Sequence, residues 1–278
     1  MKVVAYAPCH ITGFFQICFS DDYAKTGSEG AGISISLGSI AEIKESKKFI
    51  LEGNIGKGEV TKHAIQSLTN ETFQIKIKNQ LPLSQGFGVS ASSSLAACLG
   101  IAHLLDMPYK KALEAVHKAE IKNKTGLGDA IASFIGGLEI REKAGLQGKI
   151  RKIDCEAKLI LAIIGKKLET KKILKNEKII AKINEVGEEC LKEFITKPSL
   201  EKFFDLSLRF SYETGLANEK MQKILNKANK IGKASMTMLG NSIFALYSKE
   251  MKEFLSSYKI YECFIDNYGA RILATFFP

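Results

Sequence analysis

The chain has no tryptophan and only five prolines, and its six cysteines never form a C-x-x-C pair. That excludes support for a zinc ribbon or a thioredoxin-type redox motif. The scattered Cys9, Cys18, Cys98, Cys155, Cys190 and Cys263, several of them inside apolar runs, read as buried reduced thiols of a cytosolic protein. No run of about 18 apolar residues is present, so no membrane span is expected. The opening MKVVAYAPCH enters a strand pattern directly and lacks a signal-peptide core. The G-x-x-x-x-G-K-[ST] loop occurs nowhere, so this common phosphate cradle is excluded. Internal repeats, low-complexity tracts and flexible linkers are also missing.

What remains is an ordinary globular composition: 278 residues, 45% hydrophobic and 25% charged. This length suits one large domain or two modest ones sharing a core. The formal charge of +10 fits nucleic acid, an anionic lipid or an anionic small substrate. The denser lysine groups at 44–48 and 166–178 contain acids and no interleaved aromatics, so they read as solvated faces. No nucleic-acid or membrane partner is expected.

The chain is organised around residues 81–105, LPLSQGFGVSASSSLAACLGIAHLL. Gly86 and Gly88 let the backbone turn and approach a ligand closely. Leu95, Leu99, Ala102 and Leu105 then recur at helical spacing. The first turn of such a helix presents unpaired N–H groups and partial positive charge, a seat for phosphate. Ser90, Ser92, Ser93 and Ser94 add four hydroxyls, more than one cap needs. Small residues and serines also serve close packing and capping, and that alternative stays open. The run 86–91 with Asp106 also fits a dinucleotide fingerprint. That fingerprint, however, follows directly on a continuously apolar strand. Here the preceding FQIKIK (73–78) alternates, and a segment with Pro82 intervenes.

Around this stretch, periodicity predicts strands at 2–6, stopped by Pro8, and at 11–19. A loop follows at 21–32, whose GSEGAG tail is either a ligand-facing loop or a plain turn. A meander is expected over 33–37, 41–45 and 48–52, then a helix at 59–69 and a strand at 73–78. Helices are predicted at 109–122 and from Asp129, then a strand LEIRE (138–142). His117 and Glu120 share one face of the helix 109–122, and Asp129 at a helix start is either a cap or a reactive group. The second half reads as strands 150–154 and 158–164, helices near 171–175, 177–195, 200–214 and 217–230, an apolar strand within 233–248, a helix at 251–258 and strands at 261–266 and 271–277. A β-rich front and alternating helix and strand behind suggest two lobes meeting near residue 145.

Four segments, in order, resemble the GHMP kinases. They are Ala7-Pro8-Cys9-His10; Pro82 to Ser92, which matches P-x-x-x-G-x-G-x-S-[AS]-[AS]; Gly126-Leu127-Gly128-Asp129 with Gly136-Gly137; and Ala234 to Ala245 with Gly240. In the usual phosphate motif the serine stands one place earlier, where this chain has Val89, and the last segment has GNS where a glycine run is usual. Within that superfamily, A-P-x-H-I-T-G-F-F, GSEGAG, H-x-A-E and TGLGD…GGLEIR together resemble the archaeal pantoate kinases of coenzyme A biosynthesis.

The resemblance implies an α+β, two-lobed GHMP kinase fold. Residues 1–145 would form a β-rich N-terminal domain with the phosphate loop, and residues 146–278 a ferredoxin-like C-terminal domain. It implies a cytoplasmic, ATP- and magnesium-dependent kinase acting on the primary hydroxyl of pantoate. Another small hydroxy acid or amino acid, such as homoserine, mevalonate or shikimate, is the alternative acceptor; a basic non-catalytic binding module is a separate reading. Carried over by residue, Asp129 is the catalytic aspartate. Pro82, Gly86, Gly88, Val89, Ser90, Ala91 and Ser92 hold ATP, and Ser90 and Glu120 hold magnesium. Ser28, His117, Arg141 and Thr170 contact the acid substrate, Arg141 as a planar carboxylate clamp. A homodimer is left open.

Overall fold

The protein is described here by a computed structural model covering residues 1–166 and 176–277. Strands β1 (Lys2–Cys18) and β2 (Gly27–Glu45) form one long antiparallel hairpin, in register from Lys2 opposite Lys44 to Cys18 opposite Gly27. Pro8 therefore does not stop the first strand. It lies at a register shift between Pro8 and Cys9, an irregularity that tolerates a residue without an N–H donor. The glycine-rich tail GSEGAG is likewise strand rather than loop, and the 33–45 segment continues it without a break.

Strand β3 (Ile50–Gly53) runs parallel to β4 (Phe73–Asn79), with helix α1 (Glu59–Leu68) as the crossover, where a meander was expected. The alternating burial along β4 matches its alternating sequence: apolar side chains enter the core and lysines face water. Strand β5 (Leu138–Arg141) pairs with β2, and β6 (Ile150–Ile153) pairs with β5. The last strand, β11 (Arg271–Phe276), returns to pair with β1, completing a seven-stranded sheet.

Helix α2 (Val89–Leu104) is buried on nearly every face, as its all-round small and apolar composition requires. It packs against β1 and β2 and against α1, α3 (Tyr109–Asn123) and α4 (Asp129–Ile135). Its close approach depends on small residues: a Cβ at Gly100 would overlap Ile43.

The second half supplies a four-stranded antiparallel sheet in the order β10 (Lys259–Phe264), β7 (Lys158–Ile163), β9 (Ser242–Leu246), β8 (Ala234–Met236). Helices α5 (Glu177–Thr196), α6 (Leu200–Glu213), α7 (Glu219–Ala228) and α8 (Lys249–Leu255) accompany it. All four start at side-chain caps: Asn176, Ser199, Asn218 and Ser248 each accept a backbone N–H three residues on. The chain order strand, helices, strand, strand, helix, strand is ferredoxin-like, so the fold is the α+β type expected. Helices α5 and α6 also lie on β1, and Phe14, Phe194 and Phe203 meet there edge-on and tilted. One apolar cluster thus runs from β1 and β2 into β7 and β9. The helix expected at 171–175 lies outside the described residues.

Candidate active site

The loop 80–88 enters a cleft of about 690 Å³ between the hairpin, helix α2 and the turn after β8. Its walls include Thr12, Ser28, Lys57, Gly86, Gly88, Ser90, Glu120, Gly128, Asp129 and Leu239. Gly86 and Gly88 have φ of +79° and +63°, the left-handed region that glycine enters without strain. A Cβ on Gly86 would stand 2.5 Å from Thr237 Oγ1 and 2.9 Å from the Met238 carbonyl. The loop is tied down on both sides. The His10 backbone N–H donates to the Phe87 carbonyl at 3.1 Å, and the Thr237 hydroxyl donates to the Gln85 carbonyl at 2.9 Å. The segment 234–245 therefore braces the phosphate-type loop, and its Met238 and Leu239 line the cleft.

Gly88 caps α2 without a side-chain acceptor, so the first-turn N–H groups of Val89, Ser90 and Ala91 are left for a ligand. The four serines separate. Ser90 lines the cleft. Ser92 instead turns into the core, where its hydroxyl meets Ser39 Oγ at 2.7 Å. Ser93 donates to Asn79 Oδ1 at 2.8 Å, and Ser94 to the Ser90 carbonyl at 2.9 Å. Three hydroxyls expected at the ligand are thus satisfied by Ser39, Asn79, Thr61 and carbonyls of α2 itself. They lie on helix faces turned towards the sheet and α1. Pro82 shapes the loop but does not line the cleft.

Asp129 opens α4 and faces the cleft with its side chain 28% exposed. Its Oδ1 accepts from His10 Nδ1 at 2.8 Å and, more weakly, from the Thr12 hydroxyl at 3.5 Å. Burial raises its pKa, but the His10 hydrogen bond and charge, with Arg141 behind, hold it below the usual aspartate value. His10 is itself wholly buried, and its Nε2 lies 3.0 Å from Glu139 Oε1. Neither His10 nor Glu139 was a candidate from sequence. The A-P-C-H motif was the one signal for His10; Glu139 stood inside the GGLEIR motif but read only as part of a strand.

Glu120 on α3 is 2% exposed and lines the same cleft. Its Oε2 has no hydrogen-bond partner. Burial and the nearby Asp129 charge raise its pKa well above the usual glutamate value, against one helping N–H from Ala130. A cation is the missing partner such a buried carboxylate calls for, so Glu120 with the Ser90 hydroxyl fits a magnesium ion carrying phosphate and water as its other ligands. Among the described residues no group of three His, Cys, Asp or Glu could hold a metal by itself. The cations lining the cleft, again among the described residues, are Lys57 and Lys124.

The four residues expected at the acid substrate do not stay together. Ser28 lines the cleft. His117, by contrast, points away from it, its Nε2 shared at 3.1 Å between the carbonyls of Tyr23 and Thr26. Burial lowers its pKa, leaving a neutral ring that pins the β1–β2 connection. Arg141 is 2% exposed and lies beneath Gly128, not on the cleft wall. Its Nε donates to the Ser28 carbonyl at 3.2 Å and its Nη1 is paired with Glu139. The expected carboxylate clamp is thus already engaged by an internal carboxylate. Thr170 lies outside the described residues.

In comparisons with known proteins, the family model described as the GHMP kinases N-terminal domain matches residues 58–137, the stretch that holds the loop, Glu120 and Asp129. A pantoate kinase of Methanocaldococcus jannaschii is 39% identical over 255 residues, covering 89% of this chain and 94% of that one. A pantoate kinase of Thermococcus kodakarensis is 30% identical over 274 residues, covering 91% and 90%. Among solved structures, a phosphotransferase related to the CoA biosynthesis pathway superposes with a TM-score of 0.88 at 26% identity, covering 98% of each chain. A homoserine kinase from Cytophaga hutchinsonii superposes at 0.71 with 16% identity over 98% and 97% of the two chains, a likeness of fold.

Proposed function

This chain belongs to the GHMP kinases, and on that premise we propose that it transfers the γ-phosphoryl group of ATP to the primary hydroxyl of pantoate, giving 4-phosphopantoate for coenzyme A biosynthesis. The identity of 39% to a pantoate kinase across nearly the whole of both chains supports the substrate. The single observation that carries the chemistry is the cleft itself, where Asp129, the buried unpartnered Glu120 and the open first turn of α2 face one another.

Phosphoryl transfer depends chiefly on positioning and on stabilising charge. The N–H groups of Val89, Ser90 and Ala91 receive phosphate oxygens, and Lys57 and Lys124 offset their charge. Magnesium, held by Glu120 and Ser90, would neutralise the phosphates and give Glu120 Oε2 its partner. Asp129, kept ionised by His10, accepts the hydrogen of the acceptor hydroxyl, orients its lone pair towards phosphorus and takes the proton as the bond forms. Ser28 contacts the acid. The two domains of this reading are residues 1–145 and 146–278, except that β6 and β11 join the sheet of the first. A cytoplasmic enzyme without nucleic-acid or membrane partners is part of it, and a homodimer is compatible with it. No helix among the described residues is long and apolar enough to cross a membrane.

The test is ADP release from ATP and magnesium with pantoate, homoserine, mevalonate, shikimate or no acceptor. Stimulation by pantoate alone is expected. Stimulation by a different acid would overturn the substrate and leave the kinase; no stimulation by any acid, with ATP unbound, would overturn the reading of the cleft.

A further inference from the structure

We propose that Glu139 is a positioning residue for the phosphoryl transfer: buried behind His10, it holds the imidazole with a proton on both ring nitrogens and so fixes the Asp129 carboxylate at the cleft. The inference rests on the reading of Asp129 given above.

The geometry starts from the sheet. Glu139 on β5 stands in register opposite Gly32 on β2. A side chain on Gly32 would overlap His10 Nε2, so the missing Cβ is what admits the ring between the strands. The ring then meets a carboxylate oxygen at each nitrogen, Asp129 Oδ1 at 2.8 Å and Glu139 Oε1 at 3.0 Å. A neutral imidazole has one N–H and would turn a lone pair against one of the two carboxylates. An imidazolium satisfies both. Arg141, paired with Glu139, completes an alternation of charge from cleft to core: Asp129, His10, Glu139, Arg141.

For the fold this charge serves only to pair with Arg141 on the same strand. Glu139 sits fully buried between Leu138 and Ile140, and its Oε2 has no partner. Replacing a whole buried ion pair by packed apolar residues is often neutral or stabilising, so a buried pair whose carboxylate keeps an orphan oxygen is a poor structural choice. Its two specific partners are the buried Arg141 and His10, and His10 is the one that reaches Asp129. The charged and titratable groups around the ring are Asp129 from α4, Glu139 and Arg141 from β5, Cys9 beside it on β1 and Glu120 from α3, beyond Asp129. Burial would push the His10 pKa down, but the two hydrogen-bonded carboxylates raise it above the ordinary histidine value. The alignment of Asp129 therefore persists above the ordinary histidine value and is lost as pH rises through the raised one.

Glu139→Gln tests this with little change of shape. The amide oxygen can still accept from Nε2 and Arg141, but the charge that retains the second ring proton is gone. At pH 8 we expect kcat to fall about tenfold or more, with the KM for ATP within about twofold. The alkaline limb of the kcat–pH profile should move down by about one unit or more, so that activity recovers towards pH 6. A merely structural role would lower activity equally at all pH values. Nitrogen-15 NMR of histidine-labelled protein gives a readout independent of turnover, with His10 assigned by His10→Asn. Both His10 nitrogens should be protonated at pH 7.5 in the wild type, and one should lose its proton in Glu139→Gln. A wild-type ring with one proton at pH 7.5, or an unshifted pH profile in Glu139→Gln, overturns the proposal. The NMR result decides even if the variant does not fold. Asp129→Asn, assayed in parallel, separates the two readings. Near-normal turnover there refutes the role of Asp129 itself; a loss there with an unshifted Glu139→Gln profile refutes the role of Glu139 alone.

Discussion

Glu120→Gln should make the ligand-free protein more stable and the enzyme nearly inactive. The wild-type carboxylate is 2% exposed, has an orphan oxygen and lies close enough to Asp129 to feel its charge. An unsatisfied buried polar group costs about 1–3 kcal/mol, and more when charged. The amide keeps the shape and removes the charge. In a chain of this size about 1 kcal/mol moves the melting temperature by about 2 °C, so the unliganded variant should melt about 2–6 °C higher at pH 8. The gain has a defined pH window. The folded pKa of Glu120 is raised above the usual value of 4.5, so its stability contribution is full below that value. It is lost as pH rises through the folded pKa. Wild type and variant should therefore melt alike near pH 4 and diverge as pH climbs. Added magnesium and ATP should reverse the order, because the wild type gains the ion it lacks and the variant does not. Thermal unfolding at pH 4 and pH 8, with and without magnesium and ATP, measures both effects. A variant less stable than wild type at pH 8, yet still stabilised by magnesium and ATP, would refute the argument and make Glu120 a structural residue.

Gly86→Ala forces a side chain into φ +79° and against Thr237 and the Met238 carbonyl. It should cost more than about 1 kcal/mol and raise the KM for ATP several-fold, as urea unfolding and steady-state kinetics will show. The serines of α2 should divide by position. Ser90→Ala should leave the melting temperature within about 1 °C and lower the apparent affinity for magnesium, whereas Ser92→Ala should cost about 1–3 kcal/mol through its buried partner Ser39 and leave that affinity unchanged. Equal behaviour of the two would contradict the orientation of the helix.

Much of the fold lay in local pattern. The alternation of 73–78, the helical spacing of 89–105 and the helical stretches near 200–214, 217–230 and 251–258 each depend on near neighbours, and each became the expected element. Pro8 and the glycines of 27–32 misled because their meaning is set across the sheet. Pro8 is tolerated at a register shift with β2, and Gly32 is small to admit a ring from β1. The pairing of β3 with β4 through a helical crossover was hidden for the same reason.

The site divides in the same way. Sequence alone determined that a glycine loop opens a helix with free N–H groups, and motif order placed Glu120 and Asp129 beside it. These are properties of short segments, carried wherever the segments go. Only the tertiary structure decided which polar groups are free. It turned Ser92 towards Ser39, gave His117 to the carbonyls of Tyr23 and Thr26, and gave Arg141 to Glu139. It also brought His10 and Glu139, separated by 129 positions, into contact. A side chain's chemistry is written in its residue type. Whether it is available to a ligand depends on what folding has already set against it.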